Sequence, residues 1–205
     1  MSKLVHGVGI NDADYVVQIK ETVGYLNGRR KQVRIWVCPF YQTWSDMLSR
    51  GYSRKLKLRR KTYKDVFVCK EWHRFSTFKT WMEQQDYAGK QLDKDLLVKD
   101  NKVYSPETCV FVSRQVNMFL IDRGASRGKY KLGCHWLKRD SKYMALCSNP
   151  FTLKNEYLGL FITEDEAHQS WLSKKLEHAY NLAAIQTDER IARAIISRYE
   201  NYQTH

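Results

Sequence analysis

Three short β-like runs, Cys134–Lys138, Tyr143–Cys147 and Tyr157–Phe161, lead straight into Thr163-Glu164-Asp165-Glu166, and that order leaves few folds open. The separators, residues 139–142 and 148–156, are rich in turn formers, which predicts a small three-stranded antiparallel sheet. Thr163 and Glu166 have capping-box spacing, so a helix opens there with Ala167, Trp171, Leu172, Leu176 and Ala179 on its apolar face. A helix covering one face of such a sheet leaves the other open. That open face is expected to carry His135, Lys138, Arg139, Lys142 and Lys154, with Trp136 and Tyr143 as further candidates. A last helix around Asp188–Tyr199 groups Ile191, Ile195, Ile196 and Tyr199 on one side.

Upstream the pattern differs. β-leaning pieces stand at Tyr15–Ile19 and Val33–Val37. Trp44, Met47 and Leu48 at i, i+3, i+4 predict a helix over 39–50, with Thr43 and Asp46 resembling a capping box. Asp65–Cys69 reads as a strand, and Phe75, Phe78, Trp81 and Met82 predict a helix over 75–85. Gln91–Leu97 and Val110–Val112 look like strands, and Ser113–Leu120 can form a helix. The Gly-rich basic stretch 122–131 reads as a linker. The expected class is α+β, with a first module over 1–121, a second over 132–185, and a C-terminal helix in 186–205.

Charge narrows the partner. The 205 residues carry 35 Lys+Arg against 22 Asp+Glu, a net +13, so a polyanion is the default ligand and nucleic acid the commonest one. A membrane surface or plain solubility would explain the same charge less specifically. With 43% hydrophobic and 13% aromatic residues, disorder is excluded as the main state. Eight positives and no acid fall within 50–64, including Arg54, Lys55, Lys57, Arg59, Arg60 and Lys61. Residues 123–142 add seven, among them Arg127, Lys129, Lys131, Lys138, Arg139 and Lys142, against Asp140 alone. As phosphate contacts, both stretches would add affinity without sequence information. As solvated surface they would do little.

No apolar run approaches the roughly 18–20 residues that span a bilayer, and Met1–Gly9 lacks the layout of a secretory signal. Five widely spaced cysteines argue against a disulfide framework and fit a reducing cytoplasm. Cys69 and His73, with Cys38 and Cys109, could in principle bind zinc. Structural zinc normally uses two tight pairs, and only one exists here, so small core residues are the favoured reading.

Two resemblances add to this. Gly133–Arg139, Lys142–Ala145, Tyr157–Phe161 and Thr163–Ala167, in that order, resemble the plant ethylene-response-factor (APETALA-two) type of DNA-binding domain over about 131–182. That resemblance implies a sheet laid in a duplex DNA groove, with His135, Trp136, Lys138, Arg139 and Lys142 at the contact. The upstream pieces Val68–Trp72, Leu92–Asp95, Asn101, Tyr104–Cys109 and Asn117 resemble HNH-type homing endonucleases of bacteriophages. Such enzymes often carry an ethylene-response-factor-like domain downstream.

The second resemblance implies a ββα metal finger and metal-dependent hydrolysis of DNA phosphodiester bonds, in the cytoplasm of a host cell if the chain is phage-encoded. It places Asp93 and Asn117 as ligands of a divalent metal, most naturally Mg²⁺, and Asp93, Lys94, Asp95 and Asn101 in the catalytic region. Hard oxygen donors suit that ion, and phosphodiester cleavage wants a cation at the phosphate. Lys94 departs from the family, standing where its general-base histidine would be. An ammonium is a poor base at neutral pH. A non-catalytic DNA-binding regulator with a degenerate finger is therefore the alternative.

Overall fold

Aromatic spacing and a few local hydrogen bonds account for most of the elements. A computed structural model describes residues 4–121 and 129–202 of the chain. The described residues form a mixed α+β protein of small sheets. They fall into two units: residues 1–88 with 92–111, and residues 89–91 with 112–205. Of the predicted linker at 122–131, residues 129–131 belong to the second unit and residues 122–128 lie outside the described residues.

The first unit opens with a hairpin of β1 (Gln18–Leu26) and β2 (Arg29–Val37). The turn is Asn27-Gly28, both at positive φ (49° and 73°), the backbone that a two-residue hairpin turn requires. Each strand is much longer than the β-leaning pieces predicted. The base of the hairpin is anchored: Val17 and Cys38 sit in the core, the Cys38 N–H donates to the Val17 carbonyl at 2.9 Å, and Arg34 donates to the Gln42 side chain.

Helix α1 (Pro39–Tyr52) follows and buries Tyr41, Trp44, Met47 and Leu48. It starts a turn earlier than a Thr43 cap requires, because Pro39 occupies the first turn with its φ already helical. The Thr43 hydroxyl instead donates back to the Pro39 carbonyl at 3.0 Å. A short α2 (Arg54–Arg59) is capped by Ser53. The strand expected at 65–69 shrinks to β3 (Phe67–Val68). Helix α3 (Phe75–Glu83) buries Phe75, Phe78 and Met82. Its start is tied down by Asp12, whose carboxylate accepts from the Ser76 N–H (2.9 Å), the Ser76 hydroxyl (2.7 Å) and Arg74 (3.1 Å). Trp44, Trp72, Phe75 and Phe78 form an aromatic centre, where the Trp44 indole donates to the Trp72 carbonyl at 2.7 Å.

Three more strands close this region. β4 (Gln91–Asp93) pairs with β6 (Val110–Val112), and β3 pairs in parallel with β5 (Val103–Tyr104). β4 stops at Asp93, four residues short of expectation. Asp93 Oδ1 accepts from the N–H groups of Asp95 and Leu96 at 2.9 and 2.8 Å, and this Asx-type turn breaks the extended chain. Asp95 is therefore not strand-aligned with Asp93.

In the second unit α4 (Arg114–Leu120) is capped by Ser113. β7 (Cys134–Leu137), β8 (Lys142–Ser148) and β9 (Asn155–Phe161) form an antiparallel sheet in that order. Helix α5 (Glu164–Ala184) begins with the Thr163/Glu166 capping box. Small residues let it approach the sheet, with Cys134, Ala145 and Ala167 in one buried cluster. α6 (Glu189–Glu200) buries Ile191, Ile195 and Tyr199. The buried stripe of α5 differs from the expected one. His168, Lys175 and His178 are buried, while Leu172 and Leu176 are only half-buried.

Those polar residues stay buried because each finds a partner. His178 meets Glu156 at 2.9 Å, and His168 Nδ1 meets the Leu132 carbonyl at 2.9 Å. Lys175 donates to the Phe119 carbonyl at 2.9 Å, with its ammonium 3.6 Å from the Phe119 ring centroid. Burial still pushes the Lys175 pKa down to about 8 from an ordinary 10.5. The unfolded chain then holds that proton more tightly. Stability rises with pH between about 8 and 10.5, and the full penalty is present below 8. Lys175→Met should thus gain about 2 kcal/mol at pH 7 and flatten that rise. The Phe119 carbonyl keeps a donor, the Tyr199 hydroxyl at 3.1 Å. Urea unfolding at pH 7 and pH 10 checks this; a less stable variant at pH 7 would mean that the ring contact outweighs burial.

Candidate functional site

The loop after β4 brings four of the expected residues together. Lys94 is 7% exposed, and its ammonium donates to Asp95 Oδ2 at 2.9 Å and to the Asn101 carbonyl at 2.7 Å. Asn101 answers from the other side. Its amide donates to the carbonyls of Lys94 (2.6 Å) and Val103 (2.7 Å), and its Oδ1 accepts from the Val103 N–H at 3.1 Å. Lys94 and Asn101 thus clamp the loop across seven residues, and neither side chain is left over for proton transfer.

Asp93 and Asp95 are partly engaged: Asp95 Oδ2 takes the Lys94 ammonium, and Asp93 Oδ1 takes the N–H groups of Asp95 and Leu96, which leaves one oxygen on each outside these bonds. Burial, and then the neighbouring Asp95 charge, raise the Asp93 pKa above the ordinary carboxylate value. A buried carboxylate beside a second negative charge is the electrostatic condition a bound cation relieves. Further along, Thr108 donates to the Val103 carbonyl at 3.0 Å and meets the Ser105 hydroxyl at 3.1 Å. Glu107 is fully exposed, and its hydrogen bond with Ser105 lowers its pKa.

Asn117 lies on α4 in the second unit, where its amide donates to Gln91 Oε1 at 2.6 Å. Asp93 belongs to the first unit. Among the described residues, no group of three or more His, Cys, Asp and Glu is disposed to hold a metal ion. His73 ends a 3-10 turn and is half-buried, its Nε2 2.9 Å from the Tyr52 hydroxyl. Burial pushes the thiols of Cys69 and Cys109 up to about 11 and about 12, so both stay protonated at neutral pH.

The basic run 50–64 divides into structural and free charges. Arg50 is largely enclosed and donates to the Tyr104 hydroxyl at 3.2 Å. Lys57 donates to the carbonyls of Lys64 (3.1 Å) and Val66 (3.0 Å), so it holds the chain after α2. Arg54, Lys55, Arg59, Arg60, Lys61 and Lys64 are all exposed. None of these six enters an ion pair among the described residues.

In the second unit strand register decides which residues share a face. His135 aligns with Met144 and Leu160, and Leu137 aligns with Lys142, on the face away from Ala167. His135 and Lys142 are exposed there, and Lys138 is exposed at the turn. Trp136 does not join them. Cys134 and Trp136 are two apart on one strand, so they point the same way. Trp136 aligns with Tyr143, their ring centroids 4.8 Å apart, and Tyr143 packs on the cluster that α5 completes. Both aromatics thus belong to the covered side, contrary to the open-face expectation.

Arg139 grips Asp140 through two bonds, at 3.0 and 3.1 Å, and stays largely exposed. Lys131 is half-buried and pairs with Asp165 at the start of α5. Lys129 is exposed, and Arg127 lies outside the described residues.

The pairing of β1 with β2 and the charge on that hairpin are what sequence reasoning missed. Lys20, Arg29, Arg30, Lys31 and Arg34 are exposed on it, and the signal that marks it is the Asn27-Gly28 turn. No helix among the described residues is long and apolar enough to cross a membrane. Comparison of the chain with protein-family models, curated proteins and solved structures found no match.

Proposed function

We propose that the chain binds duplex DNA and cleaves it with a divalent metal. The observation that carries DNA binding is the set of six exposed cations between Arg54 and Lys64, none of which enters an ion pair among the described residues. Charges of this kind displace counterions from DNA. The open sheet face, with His135 and Lys142 beside the Lys138 turn, supplies a second contact of suitable type, since a β-sheet can enter the major groove.

Cleavage rests on the Asp93–Asp95 carboxyls. Their donor set fits a hard cation such as Mg²⁺, which commonly takes one or two carboxylates and completes its shell with water and phosphate oxygens. When bound, such a cation polarises the scissile phosphate and stabilises the leaving oxygen. Asp93 holds its own turn through Oδ1. Lys94 serves as an ammonium clamp and not as a base. The short β4–β6 pairing followed directly by α4 supports the HNH-like reading.

Supercoiled plasmid is the test substrate. Purified protein should nick or cut it with Mg²⁺ or Mn²⁺, and EDTA should stop the reaction. Without metal the protein should still bind, with log affinity falling steeply against log salt. Binding without cleavage over a range of divalent metals would establish the non-catalytic regulator instead, a reading that the committed Lys94 and Asn101 side chains favour. Absence of binding at low salt would sink both.

A further inference from the structure

From Ile19 to Trp36 every hairpin residue except Gly24 is exposed, so the described residues bury neither face of the ribbon, and Arg34 near its base donates to the Gln42 side chain. A bare two-stranded hairpin is marginal in water. This one also holds large side chains in solvent: Tyr25 is 70% exposed, Leu26 66% and Trp36 45%. Such a ribbon gains from a partner.

Its charge says which kind. Lys20, Arg29, Arg30, Lys31 and Arg34 face a single acid, Glu21, and three of the five follow the turn without interruption. No ion pair among the described residues uses any of the five. Cross-strand alignment places Arg29 opposite Leu26, Arg30 opposite Tyr25 and Lys31 opposite Gly24, so cations stand on both faces near the tip. A strand partner would be selected by backbone edges and side-chain pockets, and would gain nothing from cations on both faces. A duplex groove, walled on either side by phosphates, would use both.

We propose that the β1–β2 hairpin is a DNA-contacting ribbon, whose tip enters a groove of the duplex while Arg29, Arg30 and Lys31 reach the flanking phosphates. Nine-residue strands reach about 30 Å, and a two-stranded ribbon fits the roughly 12 Å major groove. The ribbon rests on the DNA-binding function proposed above and adds an arm to it.

The test compares two full-length variants. Arg29→Ala/Arg30→Ala/Lys31→Ala removes the tip charge, and Arg114→Ala/Arg193→Ala/Arg198→Ala removes the same charge from exposed positions on α4 and α6. The tip variant should keep the wild-type melting temperature. It should lose about tenfold or more in duplex affinity near 0.1 M salt, with a log–log salt slope shallower by about 2 to 3. The control should lose less than about threefold. Equal losses in the two variants, or an unchanged tip variant, would overturn the ribbon while leaving DNA binding standing. No wild-type binding would overturn the broader function itself. A tip variant that binds DNA normally but no longer binds phosphatidylglycerol vesicles would overturn the ribbon in favour of a membrane surface.

Discussion

Gly133→Ala should unfold the second unit or leave it barely stable, at a cost of at least about 3 kcal/mol. Gly133 sits at φ +79°, where an L side chain is strained. A Cβ built there would stand 2.1 Å from Trp171 Cγ and 2.5 Å from Trp171 Cβ. The second distance matters most, because the Cβ is fixed to the α5 backbone and cannot swing away. Trp171 cannot yield cheaply either. Its ring stacks on His168 at 5.5 Å and meets Tyr199 of α6 edge-on at 6.4 Å. Moving Gly133 instead would disturb the sheet edge, since its carbonyl accepts from the Leu146 N–H at 2.9 Å. Gly28→Ala is the informative control: it also has positive φ (+73°), but nothing lies within 4 Å of the added carbon. It should lose only about 1 kcal/mol. Urea unfolding of both variants checks the pair, and similar losses would show that backbone strain, not the Trp171 collision, sets the cost.

That contrast also marks what a sequence can disclose. Trp44, Met47 and Leu48, and likewise Phe75, Phe78 and Met82, are apolar at helical spacing because one side of each helix is buried, so periodicity found both. The three strands of the second unit and the Thr163 cap were legible for the same reason: each is a local pattern. The hairpin was legible only at its base, as the β-leaning pieces Tyr15–Ile19 and Val33–Val37. Alternation arises when one face is buried, and here both faces are exposed, so along the rest of the ribbon the Asn27-Gly28 turn carries the signal. Trp136 was misplaced because its chemistry suits a DNA contact, while the strand parity it shares with Cys134 sets its face. The α5 stripe was misread because Lys175 and His178 look like surface residues until Phe119 and Glu156 are brought beside them. In the candidate site, Asp93 through Asn101 could be named from the resemblance. The Lys94–Asn101 clamp could not, because it runs through side-chain bonds to backbone carbonyls that leave no periodic trace.

Asp93→Asn separates the catalytic proposal from loop architecture, and it should abolish metal-dependent nicking by at least about 100-fold. The amide keeps an Oδ1 that can accept from the Asp95 and Leu96 N–H groups, so the turn after β4 persists. What disappears is the negative charge a cation needs. Stability should hold or rise at pH 7. The native carboxyl binds its proton more tightly than an unfolded one, so the ionised form carries a folding penalty that grows as pH rises above the ordinary carboxylate range. Asn removes that penalty. Asp93→Ala should behave differently, losing nicking and also about 1–2 kcal/mol, because two N–H groups lose their acceptor. Duplex binding should survive both substitutions, since neither removes a cation. Wild-type nicking should also fail on the acid side at a pH above the ordinary carboxylate range, because metal must displace the tightly held Asp93 proton. Asp93→Asn with wild-type nicking would remove Asp93 from the metal site. Nicking lost by Asp93→Ala alone would assign Asp93 to holding the loop.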